Sequence, residues 1–445
     1  MTTDTIFALS SGHGRAGVAV IRVSGPAAAS VLDMMAAPRP RPRFAALRRI
    51  KNPATAEVLD DGLVLWFAGP KSETGEDMAE LHVHGGRAVV AAVLDAIGAI
   101  AGCRLAEPGE FARRAFENGK IDLTGVEGLA DLIDAETAAQ RRQALRQAGG
   151  ALSQLYAGWR QRLIEATALV EAAIDFSDEA DVASDAVGRA RIEAEKLHEA
   201  ITRHLNDGHR GEVVREGFQV VLAGPPNVGK SSLINALARR DVAIVSEEAG
   251  TTRDVIEVKL DLEGLPIVVS DTAGIREAAG KVEEEGIRRT LGRARAADLV
   301  LWMVDATNLD APAPADLDVR PDKLLVVVNK FDLLDSKVLQ VFPEGAVAVS
   351  ALTGFGLDRL TLRLAGFARA RVGDDEAPAL TQARHRQQLL RCRAALASFL
   401  RSPLEEFELR AEDLRRAGQA LGRITGVVDV EDVLGEIFGR FCIGK

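Results

Sequence analysis

The sequence predicts a multidomain protein that joins α/β and all-α parts: an N-terminal α/β module, a helical domain, and a second α/β unit set inside the helical one. Three observations carry this reading. Short apolar runs separated by Gly- and Pro-rich turns fill the first 118 residues. Apolar residues at helical spacing dominate from about Lys120 to Arg210 and again from Ala379 to Phe438. Between these helical stretches, nearly continuous apolar runs follow a glycine-spaced loop, Gly224-Pro225-Pro226-Asn227-Val228-Gly229-Lys230-Ser231. Helices on both sides of an α/β unit imply one helical domain with an insertion, because each half alone would need its own core. The boundaries read as 1–118, 119–216, 217–372 and 373–445.

In the first segment, Thr5–Leu9, Val18–Val23, Gly62–Phe67 and Met78–His84 read as strands, and Ala88–Ile100 as a helix. Pro38-Arg39-Pro40-Arg41-Pro42-Arg43 alternates proline with arginine, so it cannot be helical and reads as a solvated extended loop, with nucleic-acid contact as the alternative. His82 and His84 share one strand face; with no further ligand at a usual spacing they read as structural. In the helical segment, Val126, Leu129, Leu132 and Ile133 mark one apolar face, as do Leu152, Leu155, Trp159, Leu163 and Ala166. The acidic stretch Asp175–Asp181 lacks the glycine and terminal glutamate of a calcium loop and reads as a capping turn. Beyond it, helix resumes over Arg189–Leu205.

Composition narrows the class. A net charge of −10 over 445 residues excludes a broadly basic surface, leaving only local patches. Three scattered cysteines, Cys103, Cys392 and Cys442, form no metal-ligand spacing and fit a reduced, cytoplasmic setting. No run approaches the roughly 18 apolar residues that span a bilayer, and no signal peptide is readable.

The inserted unit carries the chemistry. An apolar run, Phe218–Ala223, precedes the glycine-spaced loop, and a helical pattern follows it. That order of strand, loop and helix is what a phosphate loop requires. Backbone N–H groups cradle phosphates there, Lys230 reaches the β/γ oxygens, and the Ser231 hydroxyl suits Mg²⁺. Val255–Leu262 and Leu265–Ser270 flank Glu263-Gly264 as a hairpin, and Leu299–Val304, Leu324–Val328 and Ala346–Val349 read as strands buried on both faces. Gly250-Thr251-Thr252-Arg253-Asp254 offers a threonine to Mg²⁺ and the γ-phosphate, and Asp271-Thr272-Ala273-Gly274 offers an aspartate and a γ-phosphate-sensing N–H. In Asn329-Lys330-Phe331-Asp332 a carboxylate can accept N1–H and the 2-amino group of guanine, a donor pair that adenine lacks. Ser350-Ala351-Leu352 would bring a backbone N–H to guanine O6. The nucleotide is therefore GTP, and the unit is a Ras-like phosphate-loop G domain. Ras-type proteins follow the last glycine of the second switch motif with a glutamine that orients water. Here Ile275 stands at that position, and nearby carboxylates of Glu277, Glu283, Glu284 and Glu285 are the candidates for that task.

Taken with these motifs, Leu65-Trp66-Phe67-x-Gly69-Pro70, Thr74-Gly75-Glu76-Asp77, His84-Gly85-Gly86, Pro108-Gly109-Glu110-Phe111, Ala172-Ala173-Ile174-Asp175-Phe176 and the terminal Phe441-Cys442-Ile443-Gly444-Lys445 resemble the MnmE (TrmE) family over the full chain. The resemblance implies a K⁺-activated, G-domain-dimerisation-dependent GTP hydrolase. With the FAD-dependent partner MnmG (GidA), in a heterotetramer, it installs a carboxymethylaminomethyl or aminomethyl group on the wobble uridine of certain tRNAs. It implies K⁺ held by Asn227, Ser246, Glu248 and Thr251, Mg²⁺ held by Ser231 and Thr252, and Glu283 as the water-orienting glutamate. The implied GTP contacts are Asn227, Val228, Gly229, Lys230, Ser231 and Ser232, then Ser246, Glu247, Glu248, Ala249, Gly250, Thr251 and Thr252. They continue with Asp271, Thr272, Ala273 and Gly274, then Asn329, Lys330, Asp332, Ser350, Ala351 and Leu352. The N-terminal α/β domain would drive homodimerisation and bind 5-formyltetrahydrofolate or a related folate through Arg22, Glu80, Lys120 and Lys445. Cys442 matches the tail cysteine implicated in modification, and no base is readable beside it.

Overall fold

The computed structural model describes residues 4–12, 14–175, 180–207, 209–244, 257–271, 292, 295–309, 319–334, 342–373, 377–401, 403, 406–428, 431–439 and 441–444. The chain divides into two compact units, residues 1–130 with 147–162 and 418–445, and residues 131–146 with 163–417. In chain order the helices are α1 (Ala28–Met35), α2 (Arg87–Gly98), α3 (Glu110–Glu117), α4 (Leu123–Ile133), α5 (Ala138–Ala148), α6 (Ala151–Asp175), α7 (Ala180–Leu205), α8 (Arg210–Glu216), α9 (Lys230–Ala238), α10 (Leu357–Val372), α11 (Ala383–Arg401), α12 (Phe407–Thr425) and α13 (Glu431–Gly439). Among the described residues no helix is long and apolar enough to cross a membrane.

In the first unit, β1 (Thr5–Leu9), β2 (Ala16–Ser24), β3 (Ala46–Lys51), β4 (Val58–Phe67), β5 (Met78–Gly85) and β6 (Cys103–Leu105) form one sheet in the order β3-β4-β5-β2-β1-β6. Period-two alternation sends Ile21 and Val23 of β2, Val64 and Trp66 of β4, and Ala79, Leu81 and Val83 of β5 to one face, where α1 and α2 cover them. The strands expected at 18–23 and 62–67 extend to Ala16–Ser24 and Val58–Phe67. The sequence reading missed α1, α3, β3 and β6; β3 buries only Ile50 and carries three cations. A second core joins Leu123 and Val126 of α4 to Ile437 and Phe438 of α13 and to Phe441. The C-terminal tail then returns to the sheet: Ile443 bridges Pro108, and a Cβ at Gly444 would stand 2.2 Å from the Leu9 carbonyl oxygen. Only glycine permits that approach.

In the second unit, β7 (Phe218–Ala223), β8 (Glu257–Leu262), β9 (Leu265–Asp271), β10 (Leu299–Asp305), β11 (Leu324–Asn329) and β12 (Val347–Ala348) form a sheet ordered β12-β11-β10-β7-β9-β8. It is parallel except for β8, which pairs with β9 as the expected hairpin. Leu299, Leu301 and Met303 enter a core with α9 and α10, while Val300, Trp302 and Val304 enter a second core on the opposite face. Burial on both faces is why these strands read as unbroken apolar runs. Helices from before and after the insertion also meet. Arg386 of α11 donates to Asp207 (3.1 Å), to Glu212 of α8 (2.9 Å) and to the Leu205 carbonyl of α7 (2.9 Å). Asp175 ends α6 and Ala180 opens α7; residues 176–179 lie outside the described residues.

Candidate functional site: a guanine-nucleotide cleft and a second polar cluster

The phosphate loop leaves the C-terminal end of β7, which has β9 on one side and β10 on the other. In parallel sheets this switch of direction is where ligands bind. Gly229 has φ 95, and a Cβ there would meet Asn329 Nδ2 at 2.4 Å, so the loop closes only around glycine. Lys230 opens α9, and its Nζ donates to the Gly224 and Pro225 carbonyls, both at 3.0 Å. Burial pushes its ammonium pKa below the ordinary value, against the pull of Asp271. A desolvated cation is one that a phosphate binds tightly. Ser231 Oγ donates to Asp271 Oδ2 at 3.0 Å, and Asp271 is 3% exposed. That pair of hard oxygen groups beside the loop fits Mg²⁺. Asn227 is exposed at φ 60, in left-handed backbone within the loop.

At the expected base end the structure adds a role. Asn329, expected among the GTP contacts, is 2% exposed and acts as a clamp. Its Nδ2 donates to the Val228 carbonyl (2.9 Å) and its Oδ1 accepts from Ala351 N–H (3.1 Å). It thereby ties the phosphate loop to the loop that carries the expected O6 donor. The Ala351 N–H is thus already engaged, and can reach a base only as a shared, three-centre donor. Asp332 stays exposed, and its Oδ1 accepts from the Ser350 hydroxyl, which is fully buried. A buried hydroxyl therefore sets the orientation of this carboxylate, the one expected to meet the base.

Sequence reasoning missed Asp305. This residue ends β10 and accepts from Lys330 Nζ at 2.7 Å. Burial works against its charge, but hydrogen bonds from Lys330 and Thr307 outweigh that and hold its pKa below the ordinary carboxylate value. Lys330 sits at φ 62, and the Phe331 ring next to it stacks on Phe355 with centroids 4.9 Å apart. The signal was an aspartate ending an apolar strand, which only its distant partner makes meaningful.

The first unit holds a second polar cluster. Arg22 donates from Nε and Nη2 to Glu80 Oε1 (3.2 and 3.1 Å) and pairs through Nη1 with Glu73 (2.9 Å). Its guanidinium lies 5.8 Å from the Phe111 ring centroid. Glu80 also meets His82 at 3.1 Å, and His84 meets Asp60 at 2.8 Å. Among the described residues no group of three His, Cys, Asp or Glu could hold a metal. Lys120 Nζ donates to the Pro70 carbonyl at 2.9 Å, in the loop that also bears Glu73. Cys442 is exposed beside the bridged Ile443. Beneath this cluster lies Arg114, 2% exposed, bound to Asp4, Glu76 and Glu110 at 3.0, 3.2 and 3.0 Å. The expected contacts Ser246, Glu247, Glu248, Ala249, Gly250, Thr251, Thr252, Thr272, Ala273, Gly274, Glu283 and Lys445 lie outside the described residues.

The family model for the MnmE helical domain matches residues 123–442, and that for the GTP-binding protein TrmE N-terminus matches residues 5–120. The tRNA modification GTPase MnmE of Parvibaculum lavamentivorans is 54% identical over 99% of this chain and 100% of its own length. That of Rhodospirillum rubrum is 52% identical over the whole of both. Among solved structures, the G domain of the T. maritima FeoB iron transporter is 27% identical with a TM-score of 0.24, covering 34% of this chain and 98% of that one. An Aquifex aeolicus Era variant bound to GDP and AlF4⁻ is 25% identical with a TM-score of 0.26, covering 41% and 68%. With relatives above half identity along its entire length and models for both of its ends, the chain belongs to the MnmE family of tRNA modification GTPases.

Proposed function

We propose that this GTPase works in the cytoplasm as a homodimer with MnmG. The pair builds the carboxymethylaminomethyl or aminomethyl group at C5 of the wobble uridine in certain tRNAs, using a folate-derived carbon. One observation carries the folate reading: Arg22, Glu80 and the C-terminal tail converge. The tail bridges Pro108 through Ile443, three residues before the Phe111 ring on which Arg22 rests. Gly444 abuts Leu9, the neighbour of Ala8, which pairs with Arg22 across the sheet. Arginine suits the acidic end of such a ligand, and a carboxylate suits the paired N–H groups of its pyrimidine ring. The test is a titration with 5-formyltetrahydrofolate, in which Arg22→Ala should weaken binding about tenfold or more. Equal binding by both proteins would discard the site. Dimerisation is supported by Val18, Leu47 and Leu63, which stand 57%, 67% and 44% exposed on the sheet face away from α1 and α2.

In the G domain Lys230 would offset phosphate charge, and Ser231, with Thr252, would hold Mg²⁺, which would neutralise charge on the phosphates. K⁺ seated by Asn227, Ser246, Glu248 and Thr251 would supply the electrostatic help that Ile275 cannot, and Glu283 would orient the water. Exchanging K⁺ for Na⁺ at equal concentration is expected to slow hydrolysis about tenfold or more. Phosphate-release assays in the two salts check this, and equal rates would remove the cation from the mechanism.

A further inference from the structure

Between Pro38 and Lys51 the chain carries six arginine and lysine residues and no acid, although the whole protein is at −10. The structure shows this segment fastened down, not merely solvated. Arg43 N–H donates to the Trp66 carbonyl (2.8 Å), Phe44 N–H to the Arg41 carbonyl (3.1 Å), and Arg48 Nε to the Pro38 carbonyl (2.8 Å). Each of the three proline-spaced arginines lies against a ring: Arg39 at 5.1 Å from Trp66, Arg41 at 5.2 Å from Phe44, and Arg43 at 5.8 Å from Phe67. Stacking fixes the plane of a guanidinium while leaving N–H edges available to an anion. Arg39 meets Asp33 at 3.6 Å, and Arg49 pairs with Asp61 at 3.2 Å. Among the described residues Arg41, Arg43 and Arg48 have no carboxylate within ion-pair distance. The Phe44 ring is 61% exposed.

A plainer reading is available for part of this. Cations on an edge strand block edge-to-edge pairing, which accounts for Arg48, Arg49 and Lys51 on β3. It does not account for Arg39, Arg41 and Arg43, which precede the strand and are each laid on an aromatic ring. Among the described residues Arg41 and Arg43 have no carboxylate partner, although Arg43 Nη2 donates to the Lys71 carbonyl; oriented guanidiniums of this kind interleaved with aromatic rings are what a nucleic-acid backbone and its unstacked bases bind.

We propose that the segment from Arg39 to Arg48 is an RNA-docking platform that grips tRNA phosphates through Arg41, Arg43 and Arg48, with the Phe44 ring offered to an unstacked base. The assignment rests on the tRNA-modifying reading and adds to it the surface that receives the substrate. A patch confined to one end of the N-terminal sheet reconciles RNA binding with an acidic chain, because phosphate attraction decays within about 8–10 Å at physiological salt.

The test uses the full-length protein and labelled bulk tRNA between about 50 and about 200 mM KCl. One variant carries Arg41→Gln, Arg43→Gln and Arg48→Gln. A second carries only Arg41→Gln and Phe44→Ala, both at exposed side chains. GTP hydrolysis is followed in parallel. The triple variant is expected to bind tRNA about tenfold or more weakly at the upper salt, with the slope of log K against log salt shallower by about 2, and unchanged basal hydrolysis. The double variant should lose several-fold. Equal affinities and slopes for all three proteins would overturn the platform, as would absence of tRNA binding by the unaltered protein. Loss of affinity for phosphatidylserine vesicles with tRNA binding intact would overturn it in favour of a membrane contact. Nucleoside analysis of tRNA from a strain lacking the gene decides the tRNA-modifying reading separately, since it does not depend on where the RNA docks.

Discussion

Asp332→Asn is expected to weaken GTP binding by about a hundredfold or more and to raise affinity for xanthosine triphosphate, read by titration with fluorescent nucleotides. Matching of donors and acceptors decides the outcome. Guanine presents N1–H and a 2-amino group side by side, and a carboxylate accepts both. Asparagine keeps one acceptor and replaces the other with an NH₂, which then faces the guanine amino group as donor against donor. Xanthine carries a carbonyl at that position, so the same NH₂ gains a partner. The Ser350 hydroxyl sharpens the effect, because its bond to Asp332 Oδ1 fixes which way the side chain can face. A side chain free to rotate would relieve part of the mismatch; this one is held from a fully buried neighbour. Undiminished GTP affinity in the variant would mean that Asp332 does not read the base.

The strands of the G domain were legible because both of their faces are buried, so local composition and tertiary position agree. Val300 to Val304 need no partner to be recognised as a strand. The edge strand β3 was not legible, since Ala-Leu-Arg-Arg-Ile-Lys spends its side chains on charge and only Ile50 on the core. β6 is three residues long and exists only because β1 lies parallel to it. The phosphate loop, Lys230, Ser231, Asp271 and Asp332 could be picked out because their chemistry is local to a motif. Asn329 could be picked out as well, as an expected ligand contact; its further role as the pin between two loops could not, because Val228 and Ala351 meet it only in the fold. Asp305 and Arg114 were invisible for a related reason. Each matters through groups brought near by folding, Asp305 through Lys330 and Arg114 through Asp4 and Glu76.

Arg114→Met is expected to destabilise the N-terminal unit by about 3–5 kcal/mol near neutral pH, measured by denaturant unfolding followed in that unit. The side chain is nearly the volume of the native one and remains apolar, so packing loss is small and the effect is electrostatic. Arg104 and Arg114 together face Asp4, Glu76 and Glu110; removing Arg114 leaves three carboxylates against one guanidinium. Burial alone would raise the Asp4 and Glu110 carboxyls, but the Arg104 and Arg114 contacts overcome it and hold both below the ordinary value. The stability these two acids contribute is therefore fully present above the ordinary carboxylate pKa and is lost as pH falls through their lowered native values. In the variant the same acids keep the burial and the Arg104 contacts but lose those of Arg114, so their native pKa values rise and protonation costs the fold less. The gap between the two proteins should consequently narrow as the pH is taken from about 7 towards about 4. A gap that stayed constant with pH would show that Arg114 acts through packing alone. The consequence reaches the Arg22 cluster. Glu76 also accepts from Ser24, whose hydroxyl meets Thr74 at 2.7 Å, and these bonds anchor the loop that delivers Glu73 to Arg22. Loosening Glu76 should therefore weaken 5-formyltetrahydrofolate binding even at temperatures where the variant is still folded, tying the buried ion network to the site that lies above it.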